Sequence, residues 1–304
     1  MACSLAAALS LLLLQTAFAQ RQASGGLCGC GSPEAVAAYQ SGWDAHRYRS
    51  LDEASAAYDH ALALAPARPP TPAERDLILR FAPLLRTTLA EPFALKDVVA
   101  VLHPAMPWIA YHVIWDDDID FPDDNDPSDH EVVWVKFDRA RSRLVNYYTY
   151  FHGRVMAAPP PAVAQAAASG GRLSVVVQWG KHGTMPLYWQ PLTIVADMAD
   201  IEHDFYPIGK SITLETYNRG IYEKLKTLGP RAKESPLARG WPKKFNGTWE
   251  EFTDFSRLVD AATMLREEQM WEVTCFGMAV LNRHFVRYNV RAKTEWPAAL
   301  CSDP

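Results

Sequence analysis

Apolar positions in the first third of the chain recur at helical spacing, then switch to runs of β-branched and aromatic residues. Ala54, Ala57, Tyr58, Ala61, Leu62 and Leu64 form one largely helical stripe that Pro66 stops. Ser32-Pro33-Glu34 supplies a capping residue with a proline at the first helical position. Ser50-Leu51-Asp52-Glu53 and Thr71-Pro72-Ala73-Glu74 read as capping boxes, the second opening a short helix that ends before Pro83. From about Phe93, strands are predicted at Val98–Leu102, Ile109–Trp115, Val132–Phe137, Leu144–Phe151 and Val175–Trp179, separated by Pro, Asp, Asn or Gly clusters. The Pro/Ala/Ser-rich stretch 157–171 is expected to be a surface loop. Thr248-Trp249-Glu250-Glu251 caps a further helical stripe of Phe252, Phe255, Leu258 and Val259. Beyond Gln269 the pattern fits buried helix and strand equally. The expected class is α+β: a helical lead-in over 32–82, then a β core over 83–304 with a mixed, partly helical C-terminal cover.

With 304 residues, 49% hydrophobic and 21% charged, the chain has room for one large domain or two modest ones. Leu5 to Leu14 is an apolar run followed by Ala17-Phe18-Ala19, so residues 1–19 are expected to be a signal peptide, although no Lys or Arg precedes the run. A membrane anchor is the rival, but the run falls short of the ~20 residues a span needs. Nothing else is long and apolar enough to cross a bilayer. A secreted or periplasmic chain with no integral span after leader removal is therefore expected, beginning with a linker at 20–31. Cys28, Cys30, Cys275 and Cys301 then remain. Cys28 and Cys30 are too close to bridge each other comfortably, so a disulfide from that segment to the C-terminal region is expected. A metal reading of these cysteines is weaker, because no second close Cys/His pair accompanies them.

The distribution of charge is more informative than the composition. Nine of the 35 carboxylates lie between Asp116 and Glu131, a stretch without Lys or Arg; the rest of the chain carries 26 acidic against 30 basic residues. The acidity is local, and no nucleic-acid-binding footprint is present. So many like charges repel unless water or cations neutralise them. Ile119, Phe121 and two prolines shape the run, which leads directly into the strand at Val132. If the strand starts as early as Asp129, alternation places Asp129 and Glu131 on the face of Val133, Val135 and Phe137, about 7 Å apart. Such a pair suits a hard cation or an acid/base couple, and oxygen-rich surroundings favour Ca2+ or Mg2+ over Zn2+. An EF-hand loop starting at Asp120 fails, since Pro122 takes a ligand position and Asn125 replaces the usual glycine.

His152 and His182 each precede a glycine at a strand end, in Phe151-His152-Gly153 and Lys181-His182-Gly183. They are the candidate catalytic groups, able to orient a metal-bound water or move a proton. His103 and His112 fit packed, structural positions better. No Gly-x-Ser-x-Gly elbow, Walker loop or dinucleotide fingerprint occurs. Core packing explains Trp241, Trp249, Trp271 and Trp296 better than sugar stacking does.

Arg80-Phe81-Ala82-Pro83, Glu91-Pro92-Phe93, Asp129-His130-Glu131-Val132-Val133-Trp134-Val135, Phe151-His152-Gly153 and Val175-Val176-Val177-Gln178-Trp179-Gly180-Lys181-His182-Gly183 occur in that order. The series, from Arg80 to Pro191, resembles the vacuolar protein sorting sixty-two family and, more distantly, the necrosis-inducing protein family of secreted cytolysins. The resemblance implies a β-sandwich with a cation site at one end. It places Asp129 and Glu131 at the paired acids, His152 at the first His-Gly and His182 at the later histidine. Asp126 stands where necrosis-inducing proteins have a histidine ligand, which makes Asp126, Asp129 and Glu131 the candidate metal ligands. His130 replaces the family's middle tryptophan, a departure that speaks against toxin activity.

Three functions fit these residues. The leading expectation is an exported protein that binds a divalent cation, Ca2+ or Mg2+, and through it an anionic lipid head group or a glycan-bearing surface. The others are a metal-dependent hydrolase of a phosphoester or glycoside, and a structural envelope protein.

Overall fold

A computed structural model describes residues 29–119, 128–196, 206–227 and 245–285, together with Lys293, Trp296 and Cys301. The leader expected at 1–19, most of the linker, Asp126 and Trp241 lie outside the described residues.

The helical lead-in forms α1 (Pro33–Arg47), α2 (Leu51–Leu64) and α3 (Pro72–Phe81). Ser32 caps α1 by accepting from the Ala35 N–H, and at α3 both halves of the Thr71/Glu74 box form. The box expected at Ser50 does not form. Ser50 sits at φ −79°, ψ 69°, outside the extended conformation that aims a capping hydroxyl at the first turn.

Two main sheets follow, and the fold is α+β. The larger contains β2 (Leu95–Leu102), β3 (Trp108–Trp115), β4 (Asp129–Asp138), β5 (Arg143–Phe151), β6 (Arg154–Ala157) and β12 (Trp271–Val273), in the order β12-β2-β3-β4-β5-β6. Its edge strand β12 pairs parallel with β2. The smaller, β11-β1-β7-β8, is built from β1 (Leu84–Thr87), β7 (Ser174–Val177), β8 (Thr184–Pro186) and β11 (Arg257–Asp260).

Alternation along the central strands sorts their side chains into two apolar layers. Val113, Trp115, Val133, Val135 and Phe137 share a layer with Leu85, Val175 and Val177 of the smaller sheet. Ala261, Ala262 and Leu265 of α7 (Ala261–Glu268) join that layer, while Ala110, Ile114, Val132 and Trp134 point the other way, onto α1, α2 and α8 (Gly277–Phe285). Covered on both faces, β3 is buried at every position, which explains its unbroken apolar sequence. A disulfide joins Cys30, just before α1, to Cys275, just before α8, across 245 residues of sequence, as the cysteine spacing predicts.

Two expected elements differ. The stretch 157–171 holds a helix, α4 (Pro160–Ala168), instead of a loop. Its prolines occupy the first turn, where a missing N–H costs nothing, and the alanines that follow are strong helix formers. The stripe after Thr248 stops early: α6 is only Trp249–Phe252, and Leu258 and Val259 lie on β11. Between them α5 (Leu214–Thr227) and the β9–β10 pair (Thr193–Val195, Ser211–Thr213) pack on a third cluster around Trp179 and Trp189. Among the described residues, no helix is long and apolar enough to cross a membrane.

Candidate functional site

The site lies where β3 ends and β4 begins. Trp115 and Asp129 are register partners there, and β4 runs unshifted against β3, so alternation keeps Asp129 and Glu131 on the face of Val133. The loop between β7 and β8 closes over this end. Gly183 O accepts from the Gln178 N–H and Gln178 O from the His182 N–H, a tight arrangement with His182 at φ 54° and Gly180 at φ 64°. A Cβ on Gly180 would stand 2.9 Å from Ile119 Cδ1, so Ile119, within the acidic run, seats directly on that glycine. Lys181 ties the same residue down, its Nζ donating to Ile119 O at 2.6 Å.

This loop brings the His182 imidazole between two carboxylates. Nδ1 lies 3.0 Å from Asp129 Oδ2, and Nε2 lies 3.1 Å from Glu91 Oε1. The ring stacks on Trp115 with centroids 4.2 Å apart and planes 5° apart, and it is fully buried. Glu91 is fixed in turn by the N–H groups of Gly180 and Phe93. Burial alone would lower the histidine's pKa, but the charges of Glu91 and Asp129 outweigh it and push it up to about 10. His182 is therefore an imidazolium at neutral pH, donating through both nitrogens. Burial would likewise raise Asp129; Lys293, His182 and the His130 N–H outweigh that and hold it well below the usual carboxylate range.

Glu131 is the opposite case. Burial, reinforced by the charge of Asp129, pushes its carboxyl up to about 8 despite Lys293 beside it. Lys293 Nζ is 2.8 Å from Glu131 Oε1 and 3.9 Å from Asp129 Oδ1, and it lies 4.7 Å from the ring centroid of Tyr150. The position follows from the sheet. Pairing of β4 with β5 starts only at Val133↔Thr149, because Thr184 of β8 takes the hydrogen bonds of Tyr150 instead. Lys293 thus meets Glu131 and Tyr150 where their two strands are unpaired. Burial would lower its pKa, but Glu131 and Asp129 more than compensate, so the ammonium stays charged. The second Glu131 oxygen, Oε2, is buried and has no hydrogen-bond partner among the described residues.

His152 does something else. It forms, with Gly153, the two-residue loop of the β5–β6 hairpin, and both residues have positive φ, 44° and 82°. Turns of that kind favour glycine second, and histidine, like Asn and Asp, is enriched at positive φ, so this His-Gly pair is explained by turn chemistry. Nε2 lies 2.7 Å from Gln178 Oε1, whose amide nitrogen donates to Asn218. Burial and the nearby Lys181 charge lower the ring's pKa to about 3, leaving it neutral. Gly183 separates the two imidazole sites: a Cβ there would stand 3.0 Å from His152 Nε2.

The sequence-predicted residues thus divide. Asp129, Glu131 and His182 come together; His152 belongs to the neighbouring hairpin; Asp126 lies outside the described residues. Glu91, Trp115 and Lys293 were missed as site residues. Glu91 figured only inside the Glu-Pro-Phe motif, and nothing in the sequence around Lys293 marks it. His103 and His112 are buried, as their context predicts.

For a hard cation, the donor chemistry of Asp129 and Glu131 fits: two carboxylates with an orphaned buried oxygen, one oriented by His182 from behind. Those two would hold the ion, leaving further positions to water or to ligand oxygens. Among the described residues, no group of three or more His, Cys, Asp or Glu side chains is arranged to hold a metal ion by itself. A cavity of about 430 Å3 is lined by Leu89, Ala90, Trp179 and Phe245 among others; His152 and His182 do not line it.

No family model matches the chain, so the likeness to the vacuolar protein sorting sixty-two family gains no support. No curated protein matches it either. One solved structure, titled "Toxin fold for microbial attack and plant defense", aligns over 53% of this chain and 85% of its own, at 16% identity and a TM-score of 0.30. A similarity that loose assigns this chain neither a family nor an activity.

Proposed function

We propose that this chain is an exported binding protein that takes up a divalent cation, Ca2+ or Mg2+, at Asp129 and Glu131, and through it engages an anionic or glycan-bearing surface. One observation carries this reading: both carboxylates converge on a single buried positive centre, the Lys293 ammonium. That arrangement supports a place for a positive ion between them, which a metal would enter with loss of the proton that burial keeps on Glu131 at neutral pH. An ion held by two protein carboxylates keeps coordination positions open, and phosphate oxygens or sugar hydroxyls are suitable occupants.

The hydrolase alternative draws less support. His182 donates through both nitrogens to carboxylates and is already protonated, so it lacks the lone pair a general base needs. His152 is neutral but committed through Nε2 to Gln178.

Calorimetric titration of the purified chain with Ca2+ and Mg2+, alongside thermal unfolding, tests the ion. Saturating ion should raise the melting temperature by a few degrees, as any ligand confined to the folded state does. The isosteric changes Asp129→Asn and Glu131→Gln should each abolish that rise. Sedimentation with vesicles of phosphatidylserine or phosphatidylcholine, and a glycan array, each with and without EDTA, then tests the surface. Absence of heat and of any melting shift at millimolar ion would sink the proposal.

A further inference from the structure

Lys293 occupies the ground that the cation would need. Its Nζ stands 2.8 Å from Glu131 Oε1 and 3.9 Å from Asp129 Oδ1. The residue is only 6% exposed, so its charge is directed at those two acids and at the Tyr150 ring instead of at water. A long, flexible ammonium is ordinarily left in solvent. Sequence separation makes the placement more specific, because the two partners stand 162 positions apart in the chain.

We propose that Lys293 is the resident competitor of this site: its ammonium fills the position between Asp129 and Glu131, and a divalent ion enters by displacing it. This rests on the cation-site reading above. Two like charges cannot share one pair of buried carboxylates without strong repulsion. Because the ammonium is tethered, its effective concentration at the acids is high whatever the solution holds, and the site's affinity for ions is lowered accordingly. The same competition sets selectivity. A monovalent ion brings no more charge than the ammonium already supplies, whereas a dication brings twice as much. Na+ and K+ are thereby excluded, and Ca2+ or Mg2+ is admitted at the cost of moving Lys293 out of the gap between β4 and β5. The Glu131 oxygen that lacks a partner is the one an ion with several coordination positions can use and a single ammonium does not.

Two measurements on the full chain decide the matter. Calorimetric titration of Lys293→Met should give Ca2+ binding at least tenfold tighter than in the unaltered protein, while Lys293→Arg should bind no more tightly than the original. In the unaltered protein, saturating Ca2+ should increase acylation of Lys293 by an amine-reactive reagent at least severalfold, read by mass spectrometry of the peptide. This labelling decides the question if Lys293→Met does not fold. Binding by Lys293→Met alone would show that the ammonium is not displaced in the unaltered protein and would overturn the proposal. Equal affinities in Lys293→Met and the unaltered protein, or a Lys293 equally protected with and without bound ion, would overturn it and leave the cation site standing. Failure of both proteins to bind any divalent ion would remove the cation site itself, and this inference with it.

Discussion

Asp129 and Glu131 sit two residues apart on one strand, yet their protonation behaviour is opposite. The difference lies in their partners. Asp129 accepts from His182 and from the His130 N–H, whereas Glu131 has Lys293 on one oxygen and nothing on the other among the described residues. His182 gains its proton from the same arrangement, and a stability prediction follows. Its pKa rises from an ordinary 6.5 to about 10 on folding, so its contribution is complete below about pH 6.5 and is lost as pH climbs toward 10. Glu131, raised to about 8, adds a loss of the same sign at lower pH, between its ordinary 4.5 and 8. The fall between pH 8 and 10 is therefore attributable to His182. Urea unfolding across that window should show it in the original protein and not in His182→Gln. At pH 7 that substitution should cost about 3–5 kcal/mol, since it leaves two buried carboxylates without their shared cation. The acids and His182 were legible in the sequence because local context marks them, a dense run of carboxylates and a glycine after a strand. Lys293 and Glu91 were not. Their roles arise from contacts 162 and 91 residues away in sequence, which no local pattern encodes.

Elements, rather than single residues, hold the site together, and the β7–β8 loop matters most. Gly180 has a positive φ and the Ile119 side chain rests against it. Gly180→Ala should therefore destabilise the fold by about 1–2 kcal/mol in chemical denaturation, through both backbone strain and the contact with Ile119. A stability equal to the original would show that the loop has room to adjust. The strands of the larger sheet were readable from sequence because β-branched and aromatic runs of five to eight residues have few other destinations. Residues 157–171 misled for a definite reason: three successive prolines look like a loop, but at a helix start they are tolerated. Phe252, Phe255, Leu258 and Val259 misled differently. Four apolar positions fit a helix face, yet the chain leaves helical geometry after Phe252, and Leu258 ends up 51% exposed on an edge strand.

Across the whole molecule, the helices over one face of the large sheet are secured at their start by Cys30–Cys275. A cross-link spanning 245 residues removes much of the unfolded chain's freedom, so Cys30→Ser should lower stability by about 2–5 kcal/mol. Comparing melting temperatures with and without reductant checks this, and an unchanged melting temperature on reduction would refute it. The position of Lys293 carries a consequence of another kind. During synthesis the acids of β4 emerge from the ribosome long before Lys293, which lies between them in the folded chain. Until Lys293 is made, Glu131 has to stay hydrated, protonated or paired with a counter-ion from solution. A premature stop anywhere after Phe285 and before Lys293 would leave every main strand in place and a pair of acids enclosed with only His182 to answer them.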